Sequence, residues 1–200
     1  GTNLQITLDK ELQEYGERLL KNKRGAIVAI EPSTGEILAL ITGPSFDPSL
    51  LVGRSRSRNY TNLYYDSIAK PTWDRSLLAQ PSPGSPFKII NALAALEEGV
   101  LNPLETVYCN NGYFVGKDKK GCHCGGGSRN LYTAISESCN AYFVAVFKKI
   151  FHKYPNSDAG LEAWVSHMKS FGLGDYLGTD LPIGAPGRIP GVPFYDAFRS

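Results

Sequence analysis

Apolar residues at Leu8, Leu12, Tyr15 and Leu19 recur in steps of four and three behind Asp9, a period that predicts an amphipathic helix over about residues 9–21 with Asp9 as its cap. Two apolar, β-rich runs follow, Gly25–Glu31 and Glu36–Thr42, on either side of Pro32-Ser33-Thr34-Gly35, and they predict an antiparallel hairpin. Both runs are almost wholly apolar, the pattern of strands covered on two faces. Two strands make no such sheet alone, so further strands are expected beside them.

The texture changes near residue 43. Pro44 to Gly84 is rich in proline and serine, with Tyr60, Tyr64, Tyr65 and Trp73 among them, and predicts a long ordered excursion broken by short helices. Helical periodicity then returns. Pro86–Glu98 carries Ile89, Ile90, Leu93 and Leu96 and stops at Gly99, Asn140–Lys153 is apolar on most faces, and Ser157–Ser170 begins at a good cap and ends before Gly172. Residues 179–198, rich in proline and glycine, read as a loop-rich tail. The expected organisation is one domain, with residues 1–42 as the helix and hairpin of a sheet subdomain and 43–200 as a loop-rich, mostly helical subdomain.

An apolar share of 42% and a charged share of 20% over 200 residues describe a globular domain with one real core and exclude disorder and fibre. A net charge of +2 leaves no electrostatic footprint for nucleic acid or a membrane surface. No apolar run approaches the roughly 20 residues that cross a bilayer. Gly1 at the start and Met168 as the single methionine read as a processed piece of a longer protein, so a missing signal or anchor carries no information.

Candidate chemistry begins at Ser85-Pro86-Phe87-Lys88, which puts a hydroxyl at a helix start and an amine one turn later on the same face. Serine attacks only when a neighbour takes its proton, and lysine serves only when its surroundings keep it neutral. Composition predicts roughly one Ser-x-x-Lys by chance. Two others occur, Ser67-Ile68-Ala69-Lys70 before the helix-ending Pro71, and Ser166-His167-Met168-Lys169 inside a helix, where the hydroxyl is expected to bond back to a carbonyl. Of these, Ser85 alone follows a Pro-Gly turn at a helix start, where it reads either as nucleophile or as helix cap. Ser138-Cys139-Asn140 lies between two helical runs. It reads either as a proton relay with an amide to hold a carbonyl or as a helix stop and cap, and Ser57-Arg58-Asn59 shares the spacing.

The two motifs occur together with a Thr7-Leu8-Asp9 helix start, the hairpin from Gly25 to Ala39, Pro83-Gly84 before Ser85, Ala134 to Phe143 around Ser138, and Phe171-Gly172-Leu173-Gly174. On these residues the chain resembles, from about residue 4 to residue 191, class B penicillin-binding proteins of the elongation type, in which Ser-x-x-Lys, Ser-x-Asn and Lys-Thr-Gly motifs share one site. The resemblance implies an α/β (α+β) penicillin-binding protein/β-lactamase-like transpeptidase fold, an antiparallel sheet flanked by helices with a helical head. It implies a serine-type D,D-transpeptidase acting through an acyl-enzyme on peptidoglycan stem peptides and acylated by β-lactam antibiotics. Ser85 corresponds to the nucleophile, Lys88 to its general base, Ser138 to the proton relay and Asn140 to the substrate-amide ligand. The setting implied is the periplasmic face of the cell inner membrane, with a membrane anchor outside this chain and elongation-machinery proteins as partners.

Two departures bear on this. Pro86 stands where the family usually has threonine, and no Lys-Thr-Gly or Lys-Ser-Gly occurs before Ser200. The expectation is therefore a truncated first part of the domain, folding marginally and taking up little penicillin by itself. A D,D-carboxypeptidase, a β-lactamase-like hydrolase, or a binding module that keeps half a site are the alternatives.

Cys109, Cys122, Cys124 and Cys139 bracket a glycine-rich stretch expected to be irregular, with His123 inside Cys122-His123-Cys124. Four soft ligands suit a tetrahedral structural zinc, with His123 as a possible substitute for one sulfur, although the spacing lacks paired Cys-x-x-Cys. Two disulfides or buried free thiols are the other readings. The resemblance favours zinc, since some family members carry it beside the Ser-x-Asn motif and use the cysteine within that motif. No cofactor is expected for catalysis.

Overall fold

The computed structural model describes residues 1–181 and 183–197, so Pro182 and residues 198–200 lie outside the described residues. The chain forms two compact units, Gly1–Gln80 with Asp180–Ala185, and Pro81–Thr179 with Pro186–Ser200. The boundary falls later than the expected 42/43 division because helix α3 (Arg75–Leu78) returns to the hairpin. The backbone N–H of Arg75 donates to Thr42 Oγ1 at 2.9 Å.

In the first unit, α1 (Lys10–Leu20) starts at the expected cap, with Asp9 accepting from the Leu12 amide. Strands β1 (Gly25–Ile30) and β2 (Ile37–Gly43) pair antiparallel from Gly25↔Gly43 to Ala29↔Ala39, with a register shift at Ala29/Ile30. Among the described residues no third strand joins them. Instead α1 and the residues before it cover the free edge of β2. The Gln13 amide both donates to the Leu40 carbonyl (3.0 Å) and accepts from the Leu40 N–H (2.9 Å), Asp9 N–H reaches Leu38 O, and Thr7 Oγ1 reaches Ile37 O. Side-chain pairing of this kind satisfies an edge that otherwise recruits another strand.

The face of α1 that packs inward differs from the one its periodicity marks. Gly16 is the buried residue of α1, and a Cβ there would lie 2.5 Å from Ile41 Cδ1. Leu8, Leu12, Tyr15 and Leu19 are exposed, as are Val28 and Ile30 on β1, so the expected burial of both strand faces is not met by the described residues. The helix sits where glycine lets its backbone approach the sheet. A 3-10 turn (Pro48–Leu51) and α2 (Arg56–Tyr65) make up the excursion.

The second unit holds the main core. Helix α4 (Phe87–Glu97) packs on α6 (Asn140–His152), which packs on α7 (Ser157–Ser170), with α5 (Leu131–Ser136) leading into α6. Here too the small residues face inward. Ala92, Ala94 and Ala95 are buried against Tyr142, Phe143, Val146 and Ile150, whereas Ile89, Leu93 and Leu96 of the expected stripe are exposed. The cysteine segment, expected to be irregular, forms two ribbons. β3 (Val107–Cys109) pairs with β6 (Gly127–Arg129), and β4 (Gly112–Val115) pairs with β5 (Asp118–Gly121). Among the described residues the tail is loop apart from α8 (Val192–Asp196).

The C-terminal ends of α4, α6 and α7 meet at Glu98, whose side chain is 7% exposed. Its carboxylate accepts from Lys153 Nζ (2.6 Å) and Tyr154 Oη (2.9 Å) and lies 2.7 Å from His167 Nε2, while Lys153 also reaches the Glu98 carbonyl (2.7 Å). The hydrogen bond from Lys153 leads, and with those of His167 and Tyr154 it overcomes the opposing effect of burial, holding the carboxyl at about 2 instead of 4.5. A depressed carboxylate stabilises the fold fully above its unfolded value and loses that contribution as pH falls through the folded one. Stability should therefore decline between about pH 4.5 and 2 through this group. Glu98→Gln should cost about 1–3 kcal/mol at neutral pH and flatten that part of the acid profile, as urea titrations at several pH values will show.

Candidate active site

Gly84, at φ 63°, turns the chain so that Ser85 stands exposed just before α4, with Pro86 as the N-cap residue. The helix thus starts one residue later than expected. Its first turn brings Lys88 Nζ to 3.2 Å from Ser85 Oγ. From fifty residues away, Ser138 completes a triangle: its hydroxyl donates to Ser85 Oγ at 2.8 Å and accepts from Lys88 Nζ at 2.8 Å, and its carbonyl accepts from Lys88 Nζ at 2.7 Å. The structure therefore brings together Ser85, Lys88 and Ser138.

Ser138 can offer both hydroxyl and carbonyl to one amine because its backbone is left-handed, at φ 54°. It occupies the residue after the C-cap of α5. The Ser138 amide bonds to Ile135 O (3.1 Å) and the Cys139 amide to Ala134 O (2.8 Å), the paired closure that usually carries glycine at this position. Cys139 is at once the N-cap of α6, its sulfur accepting from the Tyr142 amide, and Asn140 is the first residue of that helix. Helix stop and helix cap, one reading of this stretch from the sequence, thus coincide with the contact to Lys88 and Ser85. The Asn140 amide side chain makes no hydrogen bond among the described residues, which leaves it available to a ligand.

Lys88 is half-buried, and burial lowers its pKa from 10.5, with the cysteine sulfurs pulling weakly the other way. As an ammonium it has three donors for three acceptors. Neutral, it keeps two donors for Ser138 and presents a lone pair to the Ser85 hydroxyl, the arrangement that a base needs.

The other matches to these motifs do not assemble. Ser67 lies in a turn, and among the described residues no hydrogen bond joins its side chain to Lys70 or the Ser166 hydroxyl to the carbonyl expected of it. Asn59 serves structure, donating to Leu50 O at 2.8 Å. A further Ser-x-Asn, Ser128-Arg129-Asn130, places Asn130 as the N-cap of α5.

Beside Ser138, the sulfurs of Cys109, Cys122, Cys124 and Cys139 all lie within 4.8 Å of one another, and neighbouring pairs are 3.3–3.7 Å apart. These are free cysteines, and the separations far exceed a disulfide bond. A tetrahedron with Zn–S of about 2.3 Å spaces its sulfurs by about 3.8 Å, so the donor set fits such an ion with small adjustment. His123 is exposed and stands outside the set. Burial leads in pushing the Cys139 thiol up to about 12 and in raising Cys109. For Cys122 burial also works upward, but the amides of Ala141, Cys124 and Asn140 prevail and bring it to about 6. The start of α6 thus points its N–H groups at sulfur, Asn140 N reaching Cys122 Sγ at 3.1 Å.

Ser85, Lys88 and Ser138 thus place a hydroxyl, an amine and a second hydroxyl in mutual hydrogen-bond contact. A family model described as the penicillin binding protein transpeptidase domain matches residues 25–196, and the chain belongs to that family. Within it, the likeness is to penicillin-binding protein 2. The Pseudomonas aeruginosa PBP2 structure in complex with WCK 5153 aligns at a TM-score of 0.82 and 33% identity, covering 97% of this chain and 43% of that one. The Helicobacter pylori PBP2 solved with MreC gives 0.82 and 30%, covering 98% and 36%. Peptidoglycan D,D-transpeptidase MrdA of Acinetobacter baumannii is 34% identical over 195 residues, 95% of this chain and 27% of its own length. The chain spans less than a third of this curated relative.

Left-handed backbone costs a side chain about 1–2 kcal/mol that glycine does not incur. Ser138→Gly and Ser138→Ala both remove the relay hydroxyl, but the glycine variant should be more stable by about that amount. Equal melting temperatures would show Ser138 to be unstrained.

Proposed function

We propose that this domain belongs to a peptidoglycan D,D-transpeptidase of cell-wall elongation, working through an acyl-enzyme on Ser85. The observation that carries the reading is the Ser85–Lys88–Ser138 triangle, supported by the similarity to D,D-transpeptidases over nearly the whole chain. Lys88, neutral, takes the Ser85 proton as Oγ bonds to the penultimate D-Ala carbonyl of a stem peptide. The C–N bond to the terminal D-Ala then breaks, and Ser138 passes the proton to the departing amine. An amine of a neighbouring stem peptide next attacks the ester, its proton passing through Lys88 to Ser85 Oγ as the C–O bond breaks, and Ser85 is regenerated. Asn140 holds an amide of the donor strand. Penicillin enters by the same attack, opening its lactam C–N bond.

No helix among the described residues is long and apolar enough to cross a membrane. The periplasmic placement at the inner membrane follows from the reaction proposed, whose substrate lies outside the cell membrane. Elongation-machinery proteins are the partners proposed, in keeping with the PBP2–MreC complex.

We assign a structural zinc to Cys109, Cys122, Cys124 and Cys139. The ion would supply charge to hold four thiolates together and order a segment poor in apolar side chains. Catalysis itself needs no cofactor in this scheme.

Intact mass analysis of the full-length protein after incubation with penicillin should show one adduct, on the peptide containing Ser85. An adduct at Ser67 or Ser166 would sink the assignment. Lys88→Ala should slow acylation by about 100-fold or more, and Lys70→Ala should leave it unchanged. Release of free D-Ala with cross-linked product supports transfer to an amine, whereas release with hydrolysed product alone points to a carboxypeptidase.

Metal analysis should find about one zinc per chain, lost in Cys139→Ser. Two disulfides mapped by mass spectrometry in its place would refute the zinc assignment.

A further inference from the structure

Cys124, a buried member of the cysteine cluster, is followed by Gly125, Gly126 and Gly127, all left-handed at φ 71°, 81° and 90°. Such a run has no side chains with which to pack and little intrinsic preference for one conformation. It is nevertheless held: Gly127 pairs with Cys109 across β6 and β3, and Arg129, two residues beyond the run, adds a second hold. Arg129 folds its guanidinium back over the glycines, its side chain only 16% exposed, and a Cβ on Gly127 would come within 3.1 Å of Arg129 Nη1. Each of its nitrogens has a separate target. Nη2 donates to the Cys124 carbonyl at 2.5 Å, Nη1 to the Ser128 carbonyl at 3.0 Å, and Nε to Glu137 Oε2 at 2.6 Å.

Those targets lie on two different parts of the site. Cys124 carries one sulfur of the cluster. Glu137 is the C-cap of α5 and immediately precedes Ser138, so holding it fixes the peptide that leads into the left-handed relay residue. A strained residue persists only where its surroundings over-determine it, and the ion pair is one of those determinants. Only a planar fork with donors in several directions can satisfy both parts at once, which a lysine cannot do.

We propose that Arg129 is a positioning residue that ties the cysteine cluster to the relay serine, one arm holding the Cys124 loop for the metal and the other holding Glu137 so that Ser138 keeps its place between Ser85 and Lys88. The proposal rests on the transpeptidase and zinc reading above. It separates two functions of one side chain, so two variants test it. Arg129→Met removes both arms. Glu137→Gln weakens the relay arm and leaves the Cys124 arm in place.

The measurements are zinc retention against a competing chromogenic chelator, and benzylpenicillin acylation resolved into the dissociation constant of the initial complex and the acylation rate constant. Arg129→Met should weaken zinc retention and lower the acylation rate constant, each by about 10- to 100-fold, the range for groups that support a site from behind. Glu137→Gln should lower the acylation rate constant by about tenfold with zinc retention at the wild-type level. In both, the dissociation constant of the initial penicillin complex should stay unchanged, which a general loosening of the fold would not allow. Glu137→Gln acylated at the wild-type rate, or releasing zinc as readily as Arg129→Met, overturns the proposal, and the first outcome decides even if Arg129→Met does not fold. A wild-type protein that takes up neither zinc nor penicillin instead overturns the reading on which this rests.

Discussion

The amine of Lys88, held between the hydroxyls of Ser85 and Ser138 and the carbonyl of Ser138, is the contact around which the second unit is built. It joins residues fifty positions apart in sequence, so nothing local maintains it. What maintains it is the pairing of α4 with α6. The two helices begin beside one another at the site and end beside one another at Glu98, which takes Lys153, Tyr154 and His167 into one cluster. Alanines at 92, 94 and 95 give α6 a close seat along the length between. A helix fastened at both ends and packed tightly in the middle cannot slide, and sliding by about 1 Å would open a 2.8 Å hydrogen bond.

The second constraint is that Ser138 must be both the end of one helix and the neighbour of the next. Its left-handed backbone closes α5, Cys139 caps α6, and the geometry of that corner aims the hydroxyl and carbonyl at the same amine. The cysteine cluster sits under this corner, with the start of α6 directing N–H groups at sulfur. Order in the glycine-rich ribbon and position of Ser138 are thus one problem with one solution. The ribbon has too few apolar side chains to pack by itself, and the corner has a backbone that needs holding.

Local chemistry made much of this legible. Asp9 before an apolar period, a Pro-Ser-Thr-Gly turn between β-rich runs, and Pro-Gly before Ser85 all act through neighbours in the chain, and α1, the hairpin and α4 lie where those signals put them. The choice among three Ser-x-x-Lys matches also rested on local grounds, because a helix start presents a hydroxyl and its first-turn lysine together. The cysteines were recognisable as a potential ligand set by type and number alone.

The faces that pack were not legible, because periodicity reports where large apolar residues lie and says nothing of where a backbone can come close. Gly16 and the alanines of α4 carry little hydrophobic signal, yet they decide the seating of their helices, while Leu12, Leu19, Ile89 and Leu93 remain exposed. Arg129 and Glu137 gave no sign for a similar reason, since an ion pair between a ribbon and a helix corner has no period and no motif. By itself, then, the sequence determined the elements, the pairing of a helix-start serine with its first-turn lysine, and the candidate ligands, all of which depend on interactions within a turn or two of chain. Only the tertiary structure decided which serine meets Lys88 from a distance, that four sulfurs converge with His123 left outside, and which helix faces are buried. Those outcomes depend on the close approach of segments that the chain order keeps far apart.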